Sequence, residues 1–165
     1  MTFTVRPTRA DDWRDVRALR LEMLADTPNA FGETLDNAAR VSEAEWRIRG
    51  ARGEQQNGAQ FAAIADDGRW IGTMGAFVTA RGEAVLVGVY VSPRFRGLAS
   101  GVTDALLAAV EDWCRPRFAT LTLHVHEQNP RARAAYEKRG FEYTGARLPY
   151  ILNPAEFELA MVKRL

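Results

Sequence analysis

Two clusters and one short strand hold the residues with chemistry in them. The first cluster, Arg96-Gly97-Leu98-Ala99-Ser100-Gly101, lies between the apolar run Val89-Tyr90-Val91-Ser92-Pro93 and an amphipathic stretch ending at Trp113. A strand that breaks into small residues and then opens a helix leaves backbone N–H groups without partners, and the helix dipole favours negative charge at that end. Such a turn suits phosphate, and Arg94 and Arg96 add guanidinium groups that pair bidentately with phosphate oxygens. The second cluster runs from Asn129-Pro130-Arg131-Ala132-Arg133 through Tyr136 to Gly140-Phe141. The Tyr136 phenol is protonated at neutral pH and can hand a proton to a departing anion. Between the clusters lie His124 and His126, the only two histidines of the chain. Histidine gains or loses charge between about pH 5 and 8 and can accept a proton from an ammonium.

Each of these residues also has a plainer reading. Glycines at strand ends relieve steric conflict, a tyrosine on the inner face of an amphipathic helix is core, and a strand histidine bonds to a neighbour. Two familiar phosphate motifs are excluded. The glycines do not follow the G-x-G-x-x-G spacing of a dinucleotide fold, and no Gly-Lys-Ser/Thr follows the turn. A His-His metal site lacks a third ligand at convincing spacing, so no metal is expected. Cys114 reads as helix filler.

The elements that must position these groups follow from periodicity and punctuation. Phe3 and Val5 alternate with polar residues up to Pro7, as in a first strand. Asp11 or Asp12 caps a helix carrying Trp13, Val16, Leu19 and Met23, lasting to about Ala25. Residues 27–34 form a loop, and the capping box Ser42-Glu43-Ala44-Glu45 opens a helix to about Ala51. Residues 52–58 are polar and expected to be mobile. Runs over 61–65, 70–78 and 85–91 form an antiparallel meander, with Asp66-Asp67-Gly68 as a hairpin turn. The period then turns helical through Val102, Leu106, Val110 and Trp113, and Leu121, Leu123 and Val125 alternate again, so a parallel crossover is expected. Asn129 caps a further helix with Pro130 at its first position and Gly140 as its stop. Strands around 141–145 and 157–163 close the chain.

With 165 residues the chain has room for one well-buried core, so residues 1–165 are expected to be a single α/β domain. Lys and Arg number 22 against 21 Asp and Glu, so no global field draws the protein to nucleic acid or to an acidic membrane. One cysteine precludes an intramolecular disulfide framework, and no apolar stretch is long enough to span a bilayer. A soluble protein in a reducing, cytoplasmic setting is the expectation; monomer and homodimer are both compatible with the sequence.

The turn resembles the acetyl-CoA pyrophosphate loop of the GNAT (GCN5-related) N-acetyltransferase superfamily, Gln/Arg-x-x-Gly-x-Gly/Ala, with Arg96 at its first position, Gly101 at its last and Ala99 where the middle glycine is usual. The second cluster resembles the superfamily's Asn-x-x-Ala-x-x-x-Tyr-x-x-x-Gly-Phe stretch through Asn129, Ala132, Tyr136, Gly140 and Phe141. The resemblance covers nearly the whole chain. It implies a mixed, mostly antiparallel sheet with splayed parallel central strands and flanking helices. It also implies a coenzyme site made of the backbone of Val89, Tyr90 and Val91, the turn Arg96, Gly97, Leu98, Ala99, Ser100 and Gly101, and the helix residues Asn129 and Arg133.

By the same resemblance, the protein moves acetyl from acetyl-CoA, its co-substrate, to a primary amine by direct attack in a ternary complex, and Tyr136 protonates the departing thiolate. His124 stands where the similar strand of the ribosomal-protein alanine acetyltransferases carries a glutamate, the proposed base; Glu22, Glu33, Glu83, Glu127 and ordered water compete for that role. Phe31 and Glu33 are expected to line the acceptor site, with Trp46, Tyr90 and Tyr150 as walls, and an aromatic and acidic lining would favour a cation. The alternatives are a non-catalytic acyl-CoA-binding sensor and a nucleotide-binding module. The acceptor amine is expected on a small molecule or peptide, with an amino acid, an antibiotic, a polyamine and a protein N-terminus all compatible.

Overall fold

The turn at Asp66-Asp67-Gly68 reverses the chain between β2 (Gly58–Ala65) and β3 (Trp70–Val78), and a second reversal leads into β4 (Ala84–Val91). In this computed structural model, which describes residues 2–165 and Leu98 by its backbone alone, the three strands pair antiparallel as the alternation requires. β1 (Phe3–Pro7) adds to β2, again antiparallel. Helix α4 (Val102–Cys114) then crosses over to β5 (Thr120–His126), which runs parallel to β4. A final hairpin, β6 (Glu142–Tyr150) and β7 (Asn153–Arg164), inserts β7 beside β5, giving a seven-stranded sheet in the order β1-β2-β3-β4-β5-β7-β6. Both strands of the hairpin are longer than the sequence pattern indicates.

The sheet is covered on both faces, because successive residues of its central strands alternate between two cores. Ile71 and Val91 pack with Leu106, Val110, Leu121, Leu123, Phe141 and Met161 under α4, and Tyr136 of α5 (Pro130–Glu137) joins that cluster. Their neighbours Trp70 and Tyr90 face the other way, toward Leu19, Met23, Phe31 and Trp46 of α1 (Trp13–Asp26), the following loop and α3 (Glu43–Gly50). A short helix, α2 (Leu35–Ala39), stands within what reads as a loop; Thr34 caps it by accepting from the Asn37 amide.

The polar segment after α3 is better held than its composition suggests. Residues Ala51–Glu54 form a 3-10 turn against β2 and the residue that follows β1, where a Cβ on Gly53 would stand 2.3 Å from the Thr8 carbonyl oxygen. The Thr8 hydroxyl donates to the Gly50 carbonyl at 2.7 Å. Even in the exposed stretch that follows, the Asn57 carbonyl accepts from the Val78 amide at 3.2 Å. No helix among the described residues is long and apolar enough to cross a membrane.

The feature that makes the site is where β4 and β5 part. Their pairing covers Ala84 with Leu121, Val85 with Thr122 and Leu86 with Leu123, and then ends. Next to that point β4 bulges against β3, whose register shifts between Thr73 and Gly75, and Gly88 adopts φ +60. A bulge adds twist and bends the strand away, so Val87 to Val91 leave backbone groups unpaired toward β5.

Candidate active site

A cavity of about 1380 Å³ follows this parting through the molecule. Its floor is Val85 to Val91 of β4 with Leu123 and His124 of β5; α5 forms one wall and the α1–α3 side the other. Arg96 and Gly97 stand at one end, and Phe31, Glu33, Ile151 and Leu152 line it as well.

At the turn, α4 begins with Gly101 at φ +70 and no side chain caps its first amides. Helices α2, α3 and α5 are capped by Thr34, Ser42 and Asn129, whereas α1, like α4, starts without a side-chain cap, because the Asp12 expected there is paired with Arg6 instead. The uncapped donors of α4 face the part of the chain whose small residues let an anion approach. Arg96 lines the cavity but is already engaged: its Nε donates to the Val91 carbonyl at 2.7 Å, an Nη pairs with Asp26, and the guanidinium lies 5.4 Å from the Tyr90 ring centre. The hydrogen bond from Arg96 holds the Asp26 carboxyl below its ordinary value. Ser100 braces the turn from within, its hydroxyl 2.6 Å from the Phe95 carbonyl oxygen. Ala99, Ser100 and Gly101 are not among the cavity-lining residues, and the side chain of Leu98 lies outside the described residues.

Helix α5 sorts its side chains between the cavity and the outer surface. Arg133 points away from the cavity, pairing with Glu137 one turn on and lying over the Tyr143 ring. The cations of α5 and the turn after it that line the cavity are Arg131, Lys138 and Arg139. The helical period explains the difference, because residues 131, 135 and 138 share a face that 133 does not. That signal was present in the sequence.

Asn129 does what a cap does, accepting from the Ala132 amide at 3.1 Å, and it also lines the cavity. Tyr136 sits one face over, its ring edge against Phe141 with 5.8 Å between centres. Burial pushes its phenol well above the ordinary range, and no protein group hydrogen-bonds its hydroxyl among the described residues. His124 and His126 leave β5 on the face opposite Leu123 and Val125, as their parity requires, yet they differ. His124 is exposed on the cavity floor. His126 is buried beneath the last hairpin: its Nε2 lies 2.8 Å from Glu156, its Nδ1 accepts from the Gln128 amide, and its ring meets the Tyr150 ring edge-on at 4.8 Å. The Tyr150 hydroxyl in turn donates to the Phe31 carbonyl at 2.8 Å.

The competing carboxylates are mostly committed. Glu22 accepts from the hydroxyls of Tyr90 at 3.0 Å and Ser92 at 2.6 Å, so it anchors α1 to the end of β4. Glu127 is held by Arg147 at 2.7 Å and by the Phe157 amide at 3.0 Å. Glu83 lies in the exposed β3–β4 turn. Glu33 lines the cavity, but it accepts from Arg20 at 2.9 Å and from two nitrogens of Arg49 at 2.9 and 3.1 Å. Burial alone would raise its carboxyl; the hydrogen bonds from Arg49 and Arg20 outweigh that and hold it below the usual range. Glu33 therefore offers no spare negative charge to a ligand. Phe31 lines the same region with Arg20 over its ring at 5.1 Å, and Trp46 carries Arg49 at 4.6 Å. A further carboxylate that periodicity did not single out, Glu158, lines the cavity from β7; it pairs in register with His126, and so shares the face of His124. No group of three or more His, Cys, Asp or Glu side chains suited to a metal occurs among the described residues.

Several known proteins share this architecture. The chain superposes on the PaiA N-acetyltransferase of Thermoplasma acidophilum in complex with coenzyme A with a TM-score of 0.76 and 19% identity, covering 100% of both chains. A phosphinothricin acetyltransferase of Sinorhizobium meliloti in complex with AcCoA gives 0.77 and 23%, covering 100% of this chain and 89% of that one. A GNAT-family acetyltransferase of Streptococcus pneumoniae gives 0.79 and 18% over 99% of both. No curated protein matches the sequence significantly. The model of the Acetyltransferase (GNAT) family matches residues 18–141, from the middle of α1 to the Phe141 that closes the second motif. A match over that span, on a sheet whose central strands part beside an uncapped helix start, places the chain in the GNAT acetyltransferase family.

Proposed function

We propose that the protein transfers the acetyl group of acetyl-CoA to a primary amine by direct attack within a ternary complex. The observation that carries the reading is the continuous cavity between the parted ends of β4 and β5, with the turn at one end and both His124 and Tyr136 on its walls. Coenzyme A fits this path chemically. Its pyrophosphate meets the uncapped start of α4, and the amides of its pantetheine arm pair with the free backbone of β4 as an added strand would.

In the reaction the acceptor ammonium first loses a proton to His124, directly or through water. The free amine nitrogen attacks the thioester carbonyl carbon, the N–H2+ centre so formed releases its second proton to solvent, the carbon–sulfur bond breaks, and the electron pair leaves on sulfur. Tyr136 donates its phenolic proton to that thiolate and is reprotonated from solvent. Burial disfavours the Tyr136 phenolate, and a thiolate held beside it would be disfavoured in the same way, so the transfer stays balanced. Coenzyme A and the amide are the products.

Calorimetry with coenzyme A, followed by thiol release from acetyl-CoA across an amine panel, tests the proposal. Binding together with amine-dependent thiol release is expected. Binding without release for any amine would leave a sensor domain, and tighter binding of ATP or NAD than of coenzyme A would leave a nucleotide module.

A further inference from the structure

Around Glu33 the cavity gathers more positive charge than it neutralises. Arg20, Arg49 and Arg52 all line it there, while Glu33 is the one carboxylate of that region in the lining. Glu45, at the outer edge, adds a loose contact of 3.7 Å to Arg49. Donors are left over on each arginine. Arg20 uses only its Nε on Glu33. The Nε of Arg49 is buried without a hydrogen-bond partner. Arg52, exposed to solvent within the lining, pairs with no carboxylate among the described residues. The aromatic faces that would attract a cation are taken, since Arg20 covers Phe31 and Arg49 covers Trp46. The cation preference that the sequence suggests is therefore reversed by the ion pairs.

We infer that the acceptor is a small amine bearing a carboxylate, an amino acid in the broad sense, whose anionic group is held by the surplus guanidinium donors of Arg20, Arg49 and Arg52. The inference rests on the acetyltransferase reading and narrows its substrate class. Guanidinium forks match a carboxylate bidentately, and a buried donor without a partner gains most from such a ligand. The amine of the same molecule then faces the floor, where His124 and Glu158 share one side of the sheet.

The test uses matched sets: L-amino acids, their C-terminal amides and the corresponding decarboxylated amines, with β-alanine and γ-aminobutyrate to vary the distance between charges. Thiol release from acetyl-CoA is the readout, and calorimetric binding to the coenzyme A-loaded protein is the second. Within at least one set the carboxylate-bearing member is expected to exceed its amide and its amine by about tenfold or more in kcat/KM, or in affinity where no turnover occurs. Arg52→Glu should narrow or invert that ratio while leaving coenzyme A affinity unchanged, and Arg52→Lys should keep most of it. Equal or better use of amides or cationic amines overturns the inference with the acetyltransferase reading intact, as does failure of every carboxylate to bind the loaded protein. Failure of coenzyme A to bind overturns both.

Discussion

At the scale of single residues, the site divides groups that are free to react from groups already occupied. Tyr136 has a half-buried ring packed against the core and a hydroxyl with no protein partner among the described residues, so removing the hydroxyl changes little but the proton it carries. Tyr136→Phe is expected to lower kcat by roughly a hundredfold or more, the range of general-acid effects, while coenzyme A affinity by calorimetry stays within about twofold. Full turnover in a folded Tyr136→Phe protein would remove it from the mechanism. His124 stands exposed on the cavity floor, whereas His126 is locked between Glu156 and the Gln128 amide. If His124 is the base, His124→Glu should retain part of the activity and move the acidic limb of the pH–kcat/KM profile to lower pH, because a carboxylate deprotonates below an imidazole. His126→Ala should leave that limb in place. An unchanged limb in both His124→Glu and His124→Ala would assign the proton to Glu158 or to water.

Elements position those residues through a few ties that substitutions can separate. Arg96 joins the end of β4 to Asp26 at the end of α1 and also borders the turn, so losing it removes a tie and a cation together. Arg96→Ala is expected to weaken coenzyme A binding by about tenfold to a hundredfold, the worth of one charge-assisted bond. Asp26→Asn removes only the tie, and its effect on coenzyme A affinity should be several times smaller. Equal losses in the two variants would make Arg96 a structural residue rather than a phosphate ligand. The 3-10 turn after α3, which also carries Arg52, depends on close backbone approach. With a Cβ on Gly53 falling 2.3 Å from the Thr8 carbonyl oxygen, Gly53→Ala is expected to destabilise the fold by roughly 1–3 kcal/mol in denaturant unfolding. A Gly53→Ala protein as stable as the parent would show that the turn gives way.

For the whole molecule, acid stability follows from carboxylates held low by arginines. Glu33, Asp12 and Asp26 each have a carboxyl below its ordinary value in the folded protein. The unfolded chain therefore binds more protons than the native one around pH 4, and stability rises with pH there. The contribution is fully present above the ordinary carboxylate range and is lost as pH falls through the lowered folded values. Glu33→Gln should cost on the order of 2 kcal/mol near neutral pH, since it leaves two guanidiniums facing each other in a partly buried site, and it should flatten the acid limb. A melting temperature that tracks the parent's at every pH would refute this. Coenzyme A at a hundred times its dissociation constant should add about 2.7 kcal/mol of apparent stability, visible as a rise in melting temperature.

Period and punctuation determined most of the scaffold before any tertiary contact. The alternation through 61–65, 70–78 and 85–91 became the meander, Ser42 and Asn129 became the caps they resemble, and the small-residue turn before Val102 became the start of α4. Those features are local, set by steric and hydrogen-bonding preferences within a few residues, so they are legible in one dimension. The packing of Ala51–Glu54 on Thr8 and of Ala38 of α2 on the α1 side was not, because it depends on groups distant in sequence, and the lengths of β6 and β7 follow from their pairing with each other and with β5 rather than from their own alternation. The same holds for the site. His124 and His126 are alike by parity, and only the β6–β7 hairpin buries one and leaves the other on the floor. Glu33 reads as an acidic lining until Arg20 and Arg49 converge on it, and the sign of the field an acceptor meets is fixed by that three-dimensional pairing. Local geometry is encoded by neighbours along the chain, whereas net charge at a point in a cavity is a sum over residues that only the fold brings together.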